Sequence, residues 1–398
     1  MMGFCWSGEC GNRPCWGDHY VPCCAGWVGP TVLLCIYGFC SMMRPIEPFL
    51  TEFLTGSYKN LTAEQVTRQV YPVWTYSNLV LLVPVLLVTD FLRYKPVIIL
   101  QGITYVTTML LILFGSGVHL AQLAFFCYSV AMAADTSLFY KGTDSAQHGA
   151  SDEGSPDSED FSIWAKSKTA AKHVGGKFRG FLLDCKECYS SVAMLFYCIW
   201  SATGTCGFYQ VSAYIQLFWL HIQPGNFTAY NGGVDAFSTL TGAAASVAVG
   251  HMSVEWSVWG ELVLGGFTFL VAGAIFLMDL TDNIWISYMC YSLFKTVYLQ
   301  LSTICTFQIA KTLSRTRYAL VFGMNSFVNQ VLQSVLTAIV INSLQLCITL
   351  QYFVYASFFA AISLLFTVRG VYTVLHMKRP TGGNQAERAT NLPEGSRP

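Results

Sequence analysis

The sequence predicts an all-α polytopic membrane protein, and three observations carry that expectation. Hydrophobic residues make up 54% of the 398 positions and charged residues 11%, with a mean hydropathy of +0.47, outside the range of a soluble domain of this length. Apolar runs of roughly 20 residues, the length that crosses a bilayer, recur along the chain. Lys and Arg gather in alternate connections, so a net charge of zero hides an asymmetry.

Residues 1–26 hold Cys5, Cys10, Cys15, Cys23 and Cys24 with Trp6 and Trp16, and no positive region leads into an apolar one. They read as a cytoplasmic tail and not as a cleavable leader. The cysteine spacing lacks the short pairs of a zinc site, and most of the 15 cysteines lie in apolar runs, where Cys behaves as a small hydrophobe.

The first span, residues 31–54, has Arg44, Pro45, Glu47 and Pro48 set into it. A carboxylate or guanidinium at membrane depth costs roughly 2.5–3.5 kcal/mol on insertion scales. Two readings stay open: Glu47 faces a functional cavity, or Arg44 and Glu47 pair across one helical turn and end the span. A polar connection with the glycosylation sequon at Asn60 follows. Further spans are expected at about 73–92, 96–118 and 120–140, the second closing on Asp90, Arg93 and Lys95.

Residues 141–187 are acidic from 144 to 160 and basic from 166 to 179, too polar to bury a core, and read as a disordered cytoplasmic linker. Its lone Cys185/Cys188 pair has no second pair to complete a metal site. Six more spans are expected at about 189–219, 230–250, 257–278, 284–310, 317–341 and 346–376. The organisation is thus a tail (1–26), a four-span bundle (27–140), the linker (141–187), a six-span bundle (188–378) and a second tail (379–398). With both termini cytoplasmic, every Lys and Arg lies inside except Arg44, Lys59, Arg68 and the mid-span Lys295. That orientation also puts the sequons at Asn60 and Asn226 outside.

No His/Glu zinc motif, phosphate loop or nucleophile elbow is present, so an enzyme is not expected. The informative side chains are Glu47, Asp135, Asp235, Glu261 and Lys295 at membrane depth, with Trp74, Tyr76 and Tyr128. Asp235 and Glu261, near span ends, suit capping as well as binding. Lys295 needs an acidic partner or a polar cavity. The aromatic residues suit an interfacial belt, or a box for an organic cation, where a ring face contributes roughly 0.5–2 kcal/mol.

GFCSMMRPIEPFL (38–50), YPVWTYSNLVLLVPVLLVTDFLRYKPVIILQG (71–102), CYSS (188–191), YNGGVDA (230–236) and RYALVFGMNSF (317–327) resemble the folate/thiamine transporters, solute carrier family 19 of the major facilitator superfamily. The resemblance implies a carrier of the plasma membrane working by alternating access, with no cofactor or metal and no nucleic-acid partner. Folate carriers, which move a dianion, resemble one another in having Arg where Asp135 stands and Lys where Gln333 stands. Acidic and neutral residues there, as in this chain, resemble the thiamine transporters. The resemblance implies thiamine or a related organic cation as substrate, with Glu47, Trp74 and Tyr128 lining its pocket and Tyr71, Tyr76, Asp135, Lys295 and Gln333 as further candidates.

Three departures accompany it. Phe125 stands where thiamine members resemble one another in a Glu, and Ala213 where they have Asn; each loss could remove roughly 1–3 kcal/mol of binding. The family has about twelve spans, whereas about ten are expected here, four before the linker and six after. Because MAAD leads straight into TSLFYKGTD, which resembles the sequence just after the family's sixth span, the chain reads as a shortened form. Such a form is expected either to transport or to be a non-transporting form that is retained, degraded or pairs with the full-length protein. A carrier for folate or another vitamin is the remaining alternative.

Overall fold

The computed structural model describes residues 46–91, 94–148, 191–223, 229–252, 254–313 and 318–377, with Val32, Ile36, Tyr37, Arg44 and Tyr189 besides. Most of the first expected span, the Cys-rich tail, Cys185, Cys188, Asn226 and the residues after 377 lie outside the described residues. The chain divides into two units, 1–47 and 48–398.

All regular structure among the described residues is helical. Helix α1 is Leu50–Thr55, and α2 is Ala63–Gln65, running into a π turn at Val66–Val70. A capping box starts α2: the Thr62 hydroxyl accepts from the Gln65 N–H at 3.1 Å while the Thr62 N–H donates to Gln65 Oε1 at 3.0 Å. Then come α3 (Tyr71–Phe91), α4 (Tyr94–Phe114) and α5 (Val118–His148). Pro72 directly follows the π turn in a helix that runs on unbroken from α2, and Pro84 lies inside α3, as membrane helices tolerate.

The second set of helices is α6 (Val192–Ile222), α7 (Ala229–His251), α8 (Trp256–Asp279), α9 (Ile284–Thr312), α10 (Tyr318–Thr337) with a π turn at Ala338–Ser343, and α11 (Ile348–Met377). These match the expected last six spans within a few residues. Helix α5 instead runs past its expected end at Tyr140 to His148, passing through Gly142, since the polar stretch there holds no proline.

Six helical stretches among the described residues are long and apolar enough to cross a membrane: Pro96–Phe114, Val118–Thr136, Val192–Ile222, Val258–Asp279, Val321–Ser343 and Ile348–His376. Their surfaces are turned accordingly. On α4 the exposed row is Ile99, Ile103, Val106, Leu110 and Leu113, while Gln101 and Thr108 are buried. A bilayer favours that inversion, since an apolar row costs nothing against lipid and a polar side chain needs protein partners. This is a multi-pass membrane protein.

Packing within the second set depends on small residues. Helices α8 and α11 touch backbone to backbone: a Cβ at Gly265 would lie 2.5 Å from the Thr367 amide nitrogen, and one at Gly370 would lie 2.5 Å from the Leu262 backbone. At the same crossing Ser363 donates to the Gly265 carbonyl at 2.9 Å. Helix α10 packs on α3, α5 and α6, and so joins the first set of helices to the second.

Candidate functional site

Helix α3 brings three of the expected site residues against other helices. The Tyr71 ring lies 5.5 Å from Phe125 on α5 and 5.7 Å from Tyr214 on α6. Its hydroxyl shares a 2.5 Å hydrogen bond with Thr51. One turn further, Trp74 meets Tyr209 of α6 edge-on, with centroids 6.4 Å apart. Ser129 of α5 donates to the Trp74 carbonyl at 3.1 Å and fixes the helix pair at this level. Tyr76 accepts a 2.7 Å hydrogen bond from Asn342 in the π turn after α10.

The aromatic group continues into the second bundle. Phe208 stacks on Tyr298 of α9 at 4.0 Å, and Tyr209 packs on Phe208 at 5.8 Å. Within this wall the Trp74 Nε1 and Tyr214 Oη are buried without a hydrogen-bond partner. Unpartnered buried donors of this kind are costly, and they mark a surface on which a ligand atom or water can act.

Gln333, on α10, is fully buried, and neither end of its amide has a partner. Asn329 Oδ1, Gln330 Nε2 and Ser334 Oγ on the same helix are in the same condition. Thr337, one turn beyond Gln333, hydrogen-bonds Gln210 of α6 at 3.0 Å, which places this stretch of α10 against α6.

The other expected residues fall elsewhere. Tyr128 and Asp135 lie two turns apart on the side of α5 that faces α4: Tyr128 packs at 6.0 Å on Tyr105, and Asp135 accepts from Gln101 at 3.1 Å. On the same helix Phe125 meets Tyr71 and Ser129 meets Trp74. In the leading unit Glu47 accepts from Arg44 at 3.4 Å, the local pair that its spacing allows, and its side chain is 48% exposed. Asn60 is exposed, and its φ of 52° is one that Asn tolerates.

Lys295 has the acidic partner its depth demands. Its ammonium lies 2.6 Å from Asp235 Oδ1, and the Tyr291 hydroxyl donates to the same oxygen at 3.2 Å. This ion pair belongs to a polar seam between α7 and α9, with Tyr288 donating to Asn231 at 2.6 Å, Thr241 paired with Thr296 at 2.7 Å and Thr303 donating to Ser246 at 3.0 Å. Glu261 on α8 is buried and held by the Thr373 hydroxyl at 2.5 Å and by Arg369 at 3.4 Å, both from α11. It is a helix-packing group.

Sequence reasoning missed Tyr209, Tyr214, Asn329 and Gln330. The only available signal was the presence of amides and phenols at helical spacing inside apolar runs.

Comparison with known proteins assigns a family. The reduced folate carrier family model matches residues 25–149 and again 135–354, the two matches meeting on α5. Thiamine transporter 2 of Homo sapiens is 36% identical over 456 residues, covering 89% of this chain and 92% of that protein. Thiamine transporter 1 of Mus musculus is 35% identical over 455 residues, covering 88% and 91%. The reduced folate transporter of Homo sapiens is 30% identical over 422 residues, covering 85% and 71%. Each of these alignments is longer than the 398 residues of this chain and so runs opposite gaps in it. The extent of the family match and of the identities establishes that the chain belongs to the reduced folate carrier family.

Proposed function

We propose that this chain is a carrier, not an enzyme, that moves thiamine or a related organic cation across the plasma membrane by alternating access, with both termini cytoplasmic. The observation that carries the reading is the aromatic wall in which Trp74 of the first bundle meets Tyr209 of the second. Ring faces attract a cation, and a site divided between two bundles changes its exposure when they move. The chemistry at Lys295 agrees: with its ammonium held by Asp235, it offers an anionic solute no unpaired charge. Thiamine is the substrate named for two of the relatives.

In this reading Trp74, with Tyr71 and Tyr76, receives the planar ring of the solute, and Gln333 offers it an uncharged donor and acceptor. Tyr128 and Asp135 supply aromatic and negative surface along the path, and Glu47 is a carboxylate whose charge suits a cation. Asn60 and Asn226 carry glycans on the outer face. Uptake of labelled thiamine by cells expressing the chain tests the proposal; surface expression without uptake above background, and without binding to the purified protein, removes it.

A second reading is favoured by one observation: two family matches that meet on α5, within alignments longer than the chain. The chain is then a shortened form, lacking helices of the first bundle, that does not itself transport and pairs with a full-length transporter. Co-precipitation with a full-length relative, and uptake restored by inserting the relative's extra segment at residues 135–149, distinguish this reading from the first.

A further inference from the structure

Helices α6, α8 and α11 converge around one guanidinium near the carboxyl end of α11. Arg369 Nε lies 3.4 Å from Glu261 of α8, and the Arg369 Cζ sits 4.8 Å from the ring centre of Phe196 on α6 and 5.5 Å from that of Tyr372, one turn further along α11. The contact with Glu261 is an ion pair without a hydrogen bond: Glu261 Oε2 accepts from Thr373, while the buried Arg369 Nε has no acceptor. Two rings and a carboxylate therefore hold the guanidinium in place and leave it little freedom to snorkel. Its two NH2 groups have no acceptor among the described residues, and the side chain is 25% exposed.

The same stripe of α11 carries two more groups able to donate. Tyr372 and His376 are exposed, pack ring against ring at 4.3 Å, and have no hydrogen-bond partner among the described residues. The length of α11 sets their depth. Arg369 stands ~31 Å along the helix from Ile348 at 1.5 Å per residue, against roughly 30 Å of hydrocarbon, and so lies at the level of the lipid headgroups. Trp259, exposed in the first turn of α8, marks the same boundary. Toward the membrane centre the surface beside Arg369 turns apolar, with Leu364, Leu365 and Val368 exposed.

We propose that this surface binds the phosphate of an acidic phospholipid. The Arg369 NH2 groups hold two phosphate oxygens, Tyr372 and His376 add donors below them, and one acyl chain lies along Leu364, Leu365 and Val368. A guanidinium fork held in advance matches the geometry of a phosphate and loses little freedom on binding it. A soluble phosphate meets the same donors but leaves the apolar row bare, so a lipid is the occupant that fits the whole surface. The binding depends neither on the transported solute nor on the orientation of the chain. In the orientation proposed above, the lipid belongs to the cytoplasmic leaflet, the anionic one.

The test is native mass spectrometry of the purified full chain in detergent, titrated with phosphatidylglycerol or with phosphatidylcholine of the same acyl chains. Phosphatidylglycerol is expected to bind about fivefold more tightly, as a charge-assisted contact would give. Arg369→Gln combined with Glu261→Gln, which leaves no unpaired charge in the crossing, should abolish the preference. Arg369→Lys, which keeps the ion pair and loses the fork, should lower it by about half. Lys311→Gln, at the exposed end of α9 on the same side of the membrane, should leave it unchanged. A preference that survives both Arg369 variants, or that falls as far in Lys311→Gln, overturns the site. Displacement of phosphatidylglycerol by millimolar inorganic phosphate overturns the lipid as occupant in favour of a soluble anion.

Discussion

Lys295 and Asp235 form a 2.6 Å ion pair between α9 and α7, with the Lys295 side chain 13% exposed and that of Asp235 34% exposed. Removing one partner of a fully buried pair costs about 3–5 kcal/mol, because the other charge is left uncompensated, and the part exposure of Asp235 puts the cost here lower. Asp235→Asn should therefore lower the melting temperature of the purified protein. Lys295→Met should lower it too, and the double variant should recover much of the loss, with a coupling of about 1–3 kcal/mol. Additive single losses would show that the pair contributes no coupling.

Trp74 supplies the largest ring of the wall between the bundles. Trp74→Ala should weaken thiamine binding about 3- to 30-fold, the range expected for losing a cation–π contact, while Trp74→Phe retains most of it. Tyr209→Ala should weaken it less, since Phe208 remains beside it. Titration of the purified protein with thiamine measures all three, and equal binding by wild type and Trp74→Ala would exclude the wall as the site.

The α8–α11 crossing has no room for a side chain at Gly265 or Gly370. Gly370→Val, whose Cβ would press on the Leu262 backbone, should abolish monodisperse protein in detergent, a larger effect than the about 1–3 kcal/mol typical of overpacking against mobile side chains. Gly266→Ala and Gly273→Ala, with nothing near the added carbon, should behave as wild type. Size-exclusion profiles of the three variants decide this.

Cys347, exposed in the connection before α11, has its thiol held below the usual range by its hydrogen bond with Thr349 and by the Leu350 backbone N–H. The thiolate is the reactive form, so a lowered pKa preserves reactivity as pH falls. Its maleimide rate should reach half-maximum at a pH below that of an unperturbed thiol, and Thr349→Val should move that midpoint upward. A midpoint unmoved by Thr349→Val would exclude the hydroxyl as the cause.

Hydropathy was enough to place α6 to α11 and to require a partner for Lys295, because a bilayer constrains both the length of an apolar run and the fate of a charge inside it. It did not identify Asp235 as that partner, since a choice among acidic residues depends on how α7 and α9 are rotated about their axes. The same limit kept the neighbours of Tyr128 and Asp135 out of reach: only their phase on α5 sets them beside Tyr105 and Gln101. Neighbouring Phe125 and Ser129, bland by residue type, face Trp74 and Tyr71. The amides of α10 gave little signal because polar residues at helical spacing look alike whether they meet partners or not.

The glycine crossing of α8 and α11 also has a mechanical consequence. Where two backbones touch, no side-chain layer remains to change rotamer and let one helix slide along the other. Glu261, gripped by Thr373 and Arg369 near the same crossing, acts as a pin against rotation. The two helices therefore travel as one stiff lever, and any rocking of the second bundle must bend at its other contacts.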